Sequence, residues 1–379
     1  MLDCQRDKFS LPDDVHYLNC ASRAPLLKSS EAAGIEGLRK QRYPISASAD
    51  EYFAEPDALR AAIARLVNCA AVDVALTPSV SYGVAIAAHN TDITAAQNIV
   101  FVEEEFPSNV YAWLELARST GAEVRQVPRA LCDGEWNARL LEAIDSSTAV
   151  VSLSSVQWTD GTRFDLNAVS QRCQETGALF VLDGTQSIGA QTFDFQQVKP
   201  DLLLSAAYKW MLGPYQLGYA VVGERLRDGK PFENHWSTRA GSQDTSNTAY
   251  HPDYFPGARR FDVGEQGNPI TVPMLTNSLA QIEQWGVNAV SAYCERLAQH
   301  LAAGLDQTHF TLPPDTDRYS HILGVRARNP AHVQPALDEL SRRNVRISRR
   351  GDVLRVSPNV YNTTADMDAL LDALATVAR

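Results

Sequence analysis

Short, almost uninterrupted apolar runs alternate with longer amphipathic stretches from about residue 98 onward. Strands this apolar are covered on both faces, which is typical of the parallel sheets of α/β proteins. Between the runs, residues 108–120 and 165–177 have helical spacing, and they close on Gly121 and Gly177, as a helix C-cap does. The pattern predicts repeated βαβ units and a mostly parallel sheet whose ligand site lies at the carboxyl ends of the strands. The predicted strands are NIVFV (98–102), AEVRQV (122–127), TAVVSLS (148–154), ALFVLD (178–183), DLLLSA (201–206) and GYAVV (218–222).

Beyond residue 222 the alternation of strands and helices ends. Residues 223–270 are rich in Gly, Pro, Asn, His and aromatic residues, which favours loops that help to shape a pocket. A long helical stretch at 273–305, broken near Gly286, leads into short strands (HILGVRA, VRISRR and VLRVS) and two amphipathic helices. We expect an α/β fold: a large domain with a mostly parallel central sheet flanked by helices, and a small C-terminal α+β domain. The predicted divisions are an N-terminal arm at 1–15, the large domain at 16–260, and the small domain with the connecting long helix at 261–379.

Composition and charge narrow the class of partner. The chain has 379 residues and a net charge of -11, so we expect a small-molecule substrate and no nucleic-acid partner. Its start has no apolar leader and no apolar run reaches about eighteen residues, so we expect no membrane partner and a cytoplasmic location. The cysteines lack zinc-type spacing, so no metal site is predicted, and reduced, mostly buried thiols are expected at Cys4, Cys20, Cys69, Cys132, Cys173 and Cys294.

The most informative stretch is ALFVLDGTQSIGA (178–190), followed by SAAYKWMLGPYQLGY (205–219). It places Asp183 at the end of a buried strand, Gln186 in the following turn and Lys209 just after the next strand. An aspartate beside a pyridine nitrogen keeps that nitrogen protonated, and a lysine in a partly dry pocket forms a Schiff base. The arrangement therefore predicts pyridoxal 5'-phosphate chemistry.

These residues resemble the class V aminotransferase family of fold-type I pyridoxal-phosphate enzymes, which includes cysteine desulfurases, kynureninases and isopenicillin N epimerase-like proteins. The resemblance runs over nearly the whole chain, and its pattern is Asp-x-x-Gln followed by Lys-x-x-x-Gly-Pro. It implies that Lys209 carries the cofactor as a Schiff base, that Asp183 pairs with the pyridinium, and that Gln186 donates a hydrogen bond to the ring hydroxyl. Single aspartates and lysines are mostly surface charges, so the prediction depends on several features that agree.

A second element, VALTPSVSYGVAIAAHN (74–90), runs from a short strand into a helix. Free N–H groups and the dipole at a helix start bind anions, so Ser79, Val80 and Ser81 are candidates for the cofactor phosphate. The alternative is that a serine simply caps the helix. The resemblance favours phosphate binding, although the usual Thr/Ser-Gly/Ala-Thr pattern is altered. It also implies that Tyr208, which matches the Ser-Tyr-Lys arrangement of kynureninases, touches the phosphate.

The segment EEEFPSNVYAW (103–113) resembles the part of the family whose aromatic residue, here Phe106, stacks on the pyridine ring. Taken alone, a phenylalanine beside a strand is usually a core residue. In SSVQWTDGTRFDL, Gln157 takes the place of a polar residue near the ring hydroxyl in relatives. Trp158 is an equally good candidate for a wall of the pocket.

The C-terminal segment VLRVSPNVYNTTADMDALLDAL (353–374) contains a candidate for substrate binding. In relatives, an arginine in the matching Leu-Arg-x-Ser segment grips the substrate α-carboxylate with a bidentate fork, and that residue is Arg355 here. Arg346, Arg349 and Arg350 lie close by in sequence, and for them a solvated basic edge is the expected role.

Two departures from the family pattern bear on the reaction. Desulfurases use a nucleophilic cysteine in the small domain, and no cysteine follows Cys294, so we expect the chain not to be a cysteine desulfurase. Glu265 stands where many relatives donate a threonine to the neighbouring subunit's phosphate. An anion there repels the phosphate unless it points away or pairs with Arg259 or Arg260.

Reactions of the family begin alike: the amino acid displaces Lys209, and the freed amine removes the Cα proton. A class V aminotransferase is the first prediction. A C–S or C–C lyase, of kynureninase or β-lyase type, and an epimerase remain alternatives, and an inactive relative that serves as a binding module is a further one. The resemblance also implies a homodimer, with a specificity wall or dimer packing formed by Trp236, Tyr250, His251 and Tyr254.

Overall fold

The computed structural model describes residues 2–46, 49–130 and 135–377. Within these residues the strands, numbered in chain order, are β1 His16–Tyr17, β2 Val74–Thr77, β3 Asn98–Val102, β4 Glu123–Val127, β5 Thr148–Ser154, β6 Leu179–Asp183, β7 Leu202–Ala206, β8 Gly218–Val222, β9 Phe310–Thr311, β10 Leu323–Ala327, β11 Val345–Arg346, β12 Ser348–Arg350 and β13 Val353–Val356. The α-helices are α1 Lys28–Arg42, α2 Ala49–Val67, α3 Val80–His89, α4 Tyr111–Thr120, α5 Glu135–Ala143, α6 Leu166–Thr176, α7 Phe195–Val198, α8 Thr271–Trp285, α9 Val287–Gly304, α10 Val333–Arg342 and α11 Thr364–Val377.

A seven-stranded sheet in the order β2-β8-β7-β6-β5-β3-β4 forms the centre of the large domain. Five of its strands run parallel, from β3 to β7, whereas β8 lies antiparallel between β2 and β7. Every residue of β3, β5, β6, β7 and β8 is buried, as expected for strands covered on both faces. The predicted mostly parallel sheet is therefore confirmed, with strand bounds within one residue of those read from the apolar runs.

Helices cover both faces of this sheet, and two of them end at glycine residues. The C-caps of α4 and α6 are Gly121 and Gly177, each with a φ of 77°, a left-handed conformation that glycine adopts without strain. Gly286, with a φ of 79°, separates α8 from α9, which confirms the predicted break in the long helical stretch.

The small domain is built on a four-stranded antiparallel sheet in the order β12-β13-β10-β9. Its apolar core is formed with α9, α10 and α11, whereas α8 packs against α1 and α2 and joins the core of the large domain. The N-terminal arm is attached to both parts: Phe9 is buried in the large-domain core, and Gln5 N–H donates to Val360 O at 2.8 Å. The exact division at residue 261 remains a prediction.

Residues 223–270 contain short 3-10 turns and no α-helix or strand, as expected of a loop region. The five cysteines in the described ranges are free thiols, and Cys132 lies outside those ranges. Across the same ranges, none of the helices combines the length and the apolar character that crossing a bilayer requires.

Candidate active site

Asp183 ends β6, at the carboxyl edge of the parallel strands. It is only 5% exposed, and its Oδ1 accepts the Thr185 backbone N–H at 2.8 Å. Burial raises the pKa of this carboxyl; the hydrogen bonds from Thr185 and the nearby Lys209 oppose that shift. A buried aspartate of this kind is suited to pair with a cation that is itself excluded from water.

Lys209 follows β7, the neighbouring strand, and is 6% exposed. Burial lowers the pKa of its amine to about 8, and the positive charges of Arg355 and Arg350 act in the same direction, whereas Asp183 opposes it. Its Nζ lies 5.3 Å from the centroid of the Phe106 ring. Among the described residues this amine has neither a hydrogen bond nor a salt bridge, so it is available for chemistry.

Phe106 and Trp158 form one wall beside this amine. Their rings meet edge to face with centroids 5.4 Å apart, and the Trp158 indole N–H donates to Glu104 O at 2.8 Å. Gln157 lies beneath, where its Nε2 donates to the carbonyl oxygens of Glu103 and Glu104 at 3.3 Å each. Its buried Oε1 has no partner among the described residues. The wall thus combines aromatic faces with one unpaired polar atom.

Gln186 lies on the other side of the turn after β6 and is held by its own neighbours. Its Nε2 donates to Ala21 O at 3.2 Å, and its Oε1 accepts the Trp210 indole N–H at 2.9 Å. The amide therefore keeps one further N–H for a ligand. Its role as donor to a ring hydroxyl remains a prediction.

The start of α3 holds the predicted anion site. Ser79 is the N-cap: its Oγ accepts the Tyr82 N–H at 3.2 Å and lies 3.0 Å from Ser81 Oγ. Capping by Ser79 is therefore real, and it does not exclude phosphate binding, because the N–H groups of Val80 and Ser81 still face the open end of the helix. Ser81 is exposed, as a ligand at this end requires.

Tyr208 stands at the mouth of the site. Its ring stacks on Tyr215, with centroids 4.1 Å apart, and Arg23 lies over the other ring at 4.4 Å from its centroid. Lys209 Nζ is 5.6 Å from the Tyr208 ring, so tyrosine and lysine border the same space. Phosphate contact by Tyr208 remains a prediction.

Arg355 on β13 reaches this space from the small domain, and it is 1% exposed. Its Nη1 donates to Trp158 O at 2.8 Å, its Nη2 donates to Ser22 Oγ at 2.7 Å, and its buried Nε is unpaired. Burial lowers its pKa to about 9. Over the described ranges this guanidinium pairs with no carboxylate, which is costly for a buried charge unless a ligand supplies the anion.

The neighbouring arginines do not behave alike. Arg346 and Arg349 are exposed, in agreement with the predicted solvated edge. Arg350 departs from that expectation: it is half-buried, its Nη2 donates to Ser22 Oγ at 3.2 Å, and burial lowers its pKa. It turns inward because alternate residues of a strand face opposite sides of the sheet, which places Arg350 with Ser348 and opposite to Arg349.

Sequence reasoning missed Glu105, which is buried beside Asp183. Its Oε1 accepts the Phe106 N–H at 2.6 Å, its Oε2 accepts the Ser154 N–H at 2.8 Å, and Ser154 Oγ also donates to it. Burial raises the pKa of this carboxyl to about 7. The sequence signal that could have found it is an acid three residues after a buried strand and directly before the predicted ring-stacking phenylalanine.

The predicted specificity wall lies apart from Lys209 within one chain. Trp236, Tyr250 and His251 line a cavity of about 890 Å³ that includes neither Lys209 nor Arg355. Glu265 is exposed, and the candidate partners are engaged elsewhere: Arg259 pairs with Asp57 and Arg260 with Asp228.

The fold and the site together define a class of protein, and comparisons with known proteins agree. The solved complex of the cystine C-S lyase C-DES with cysteine persulfide superimposes with a TM-score of 0.85, at 20% identity, over 96% of this chain and 98% of the lyase. The architecture is that of the fold-type I pyridoxal-phosphate enzymes.

The family follows from the sequence comparison. The model of the family "Aminotransferase class-V" matches residues 45–370, and the chain belongs to this family. Isopenicillin N epimerase of Streptomyces clavuligerus is 26% identical to this chain. The alignment covers 97% of this chain and 96% of the epimerase. Cysteine desulfurase of Haloferax volcanii is 26% identical over 75% of this chain and 68% of its own.

One expectation is overturned by these comparisons. The absence of a cysteine after Cys294 predicts that the chain is not a cysteine desulfurase, yet cysteine desulfurases are among both the sequence relatives and the solved structures that share its fold. The exclusion was wrong because one missing nucleophile is a local difference. It does not separate the chain from proteins that resemble it over most of its length.

The cofactor of this family is pyridoxal 5'-phosphate, and the residues present fit it. The carboxyl of Asp183, the unpaired amine of Lys209 and the unpaired Oε1 of Gln157 are buried polar groups, which an apolar ligand would leave unsatisfied. Asp183 suits the ring nitrogen, Phe106 the ring face, Lys209 the covalent link, and the start of α3 the phosphate.

Proposed function

We propose that the chain is an aminotransferase that acts on an α-amino acid and uses pyridoxal 5'-phosphate. The observation that carries the proposal is the buried Arg355 guanidinium, which has no acidic partner among the described residues. It donates to the carbonyl oxygen of Trp158, whose ring contacts Phe106 beside Lys209. A substrate α-carboxylate supplies the missing negative charge and takes the free N–H groups in a bidentate fork.

When bound, pyridoxal phosphate supplies an electron sink for the substrate's Cα. The chain's own groups then have distinct tasks. Asp183 holds a proton on the ring nitrogen by charge pairing, and Arg355 fixes the carboxylate so that the Cα–H bond faces Lys209. Lys209 Nζ, with a pKa of about 8, is neutral in an appreciable fraction of molecules near neutral pH, so it can accept the Cα proton as a general base.

A lyase is the second candidate. It is supported by the close superposition on a cystine C-S lyase and by Tyr208 directly before the catalytic lysine, as in kynureninases. In such a reaction the same Cα deprotonation precedes loss of a group from Cβ. The two candidates therefore share the residues above and differ in what happens at Cβ.

One assay separates them. The holoenzyme is incubated with a panel of amino acids, with and without a keto-acid acceptor, and the products are identified by mass spectrometry. Transamination predicts one keto acid with the intact carbon skeleton for each amino group transferred. Pyruvate with ammonia, or alanine with a released side-chain fragment or sulfur, would instead identify lyase or desulfurase chemistry. If no amino acid changes the absorbance of the bound cofactor, the proposal fails, and the result supports the alternative of an inactive relative that serves as a binding module.

We also propose a homodimer with a cytoplasmic location. The support for the dimer is that Trp236 is 48% exposed and Tyr250 fully exposed in the loop region, together with the separation of their cavity from Lys209. Free cysteines support a reducing compartment. Light scattering after size-exclusion chromatography and cell fractionation test these two points; a monomer or a membrane-pellet location would contradict them.

A further inference from the structure

Two arginines of the small domain converge on one serine of the N-terminal segment. Arg355 Nη2 donates to Ser22 Oγ at 2.7 Å, and Arg350 Nη2 donates to the same oxygen at 3.2 Å. Ser348 Oγ lies 2.7 Å from Ser22 Oγ and donates to Asn19 Oδ1 at 2.6 Å. The Ser22 hydroxyl hydrogen is thus directed to Ser348, and both of its lone pairs are free to accept from the arginines. This network holds the two guanidinium groups side by side.

The two arginines also share a wall. The Cζ atoms of Arg350 and Arg355 lie 5.4 Å and 6.0 Å from the centroid of the Trp158 ring. Trp158 contacts Phe106, whose ring lies near Lys209. Arg350 therefore borders the same space as the amine, on the side occupied by Arg355.

The neighbouring acids do not neutralise this pair. Asp352, two residues after Arg350, accepts from Arg326 Nη1 at 2.6 Å, and Asp160, two residues after Trp158, pairs with Arg129. Within the described ranges neither Arg350 nor Arg355 forms a salt bridge, and the buried Nε atoms of both are unpaired. Arg355 is buried and Arg350 is half-buried, and two such neighbouring cations without a counter-ion repel each other. Their positions therefore favour the binding of negative charge.

A single α-carboxylate balances only one of the two positive charges. We propose that Arg350 is a specificity-determining residue that binds a second carboxylate, on the side chain of the substrate, while Arg355 binds the α-carboxylate. The inference rests on the proposed function and narrows it to acidic amino acids. Arg350 Nη1 donates to Arg349 O at 2.7 Å, which fixes the guanidinium and leaves its remaining N–H groups for the ligand.

Unreactive ligands test this without requiring turnover. Binding of dicarboxylates of three to six carbons to the holoenzyme is measured by calorimetry, and each is compared with its monoamide, which has the same length and one charge less. We expect at least one dicarboxylate to bind about tenfold or more tighter than its monoamide, since a charge-assisted pair in a desolvated site is lost in the amide. In Arg350→Met this ratio should fall to about one.

Arg349→Met is the matched control, because Arg349 is the adjacent, exposed residue of the same strand, and it should keep the wild-type ratio. Equal binding of dicarboxylate and monoamide by the wild type, or no binding of either, would overturn the inference. So would an Arg350→Met variant that weakens both ligands equally, because Arg350 would then assist Arg355 on one carboxylate.

Misfolding cannot mimic the expected result, because the wild-type comparison needs no substitution and Arg350→Lys retains the charge and should retain part of the ratio. Failure of the proposed function is recognised separately. It appears as amino acids that leave the cofactor absorbance unchanged, whereas failure of this inference leaves that response intact and removes only the preference for the second carboxylate.

Discussion

Glu105 Oε2 accepts the backbone N–H of Ser154 at 2.8 Å, so the segment after β3 is tied to the last residue of β5. The other carboxylate oxygen accepts the N–H of Phe106 at 2.6 Å. One buried acid thus fixes the ring that faces Lys209. The carboxylate of Glu105 therefore restrains Phe106 in the segment that follows β3.

Replacement of Glu105 tests this role. Glu105→Ala leaves the backbone N–H groups of Phe106 and Ser154 without their carboxylate acceptor, and the free energy of unfolding should fall by about 2–4 kcal/mol. Urea unfolding of the apoenzyme measures the change. Glu105→Gln, which keeps one carbonyl acceptor, should lose less. If the alanine variant is as stable as the wild type, the network does not hold the segment.

The same residue predicts a dependence of stability on pH. Burial raises the pKa of Glu105 to about 7 in the folded chain, whereas an unfolded glutamate titrates near about 4.3. The folded state holds this proton more tightly, so the stability it contributes is complete below about pH 4.3 and is lost as pH rises through about 7. The stability of wild type relative to Glu105→Gln should therefore fall by about 1–3 kcal/mol between pH 5 and pH 8. A constant or rising difference in urea unfolding would contradict the shift.

Lys209 should determine the rate at which the apoenzyme takes up its cofactor. Only the neutral amine forms a Schiff base, and burial lowers the pKa of Lys209 to about 8. Stopped-flow absorbance after addition of pyridoxal phosphate should show a rate that rises about tenfold per pH unit below 8 and levels off above it. Lys209→Ala should give no borohydride-stable pyridoxyl mass, and Lys230→Ala, at an exposed lysine, should behave as wild type. A rate that still rises tenfold per unit at pH 10 would refute the shift.

The start of α3 allows capping and phosphate binding to be separated. Ser79 caps the helix, so Ser79→Ala should lower the free energy of unfolding of the apoenzyme by about 1 kcal/mol. Ser81 caps nothing, and Ser81→Ala should leave that value unchanged while it weakens cofactor binding. Fluorescence titration with pyridoxal phosphate gives the dissociation constants. Unaltered cofactor affinity in both variants would place the phosphate elsewhere.

Arg355 should matter for the substrate more than for folding. Arg355→Met removes a buried charge that lacks an acidic partner in the described ranges, so we expect the loss in unfolding free energy to stay below about 1 kcal/mol. Amino-acid affinity, followed through the cofactor absorbance, should fall by about 100-fold or more, because the fork to the carboxylate is lost. Arg349→Met is again the control. A variant that binds amino acids normally would remove Arg355 from the site.

The sequence alone determined the elements and the residues closest to the strands. Continuous apolar runs specify strands buried on both faces, and the structure has those strands. Because parallel strands end at one edge of the sheet, the positions of Asp183 and Lys209 after adjacent runs were enough to place both at the same site. The position of a residue relative to its strand is sufficient to place it at this edge of the sheet.

Only the tertiary structure decided which distant residues complete the site. Ser22 and Arg350 are separated by more than three hundred residues, yet they meet because the N-terminal segment packs between the two domains. The inward direction of Arg350 and the buried partners of Glu105 depend on sheet register and on burial, which sequence spacing does not specify. Desolvation, which shifts the pKa values of Lys209 and Arg355, likewise arises only when separate parts of the chain exclude water together.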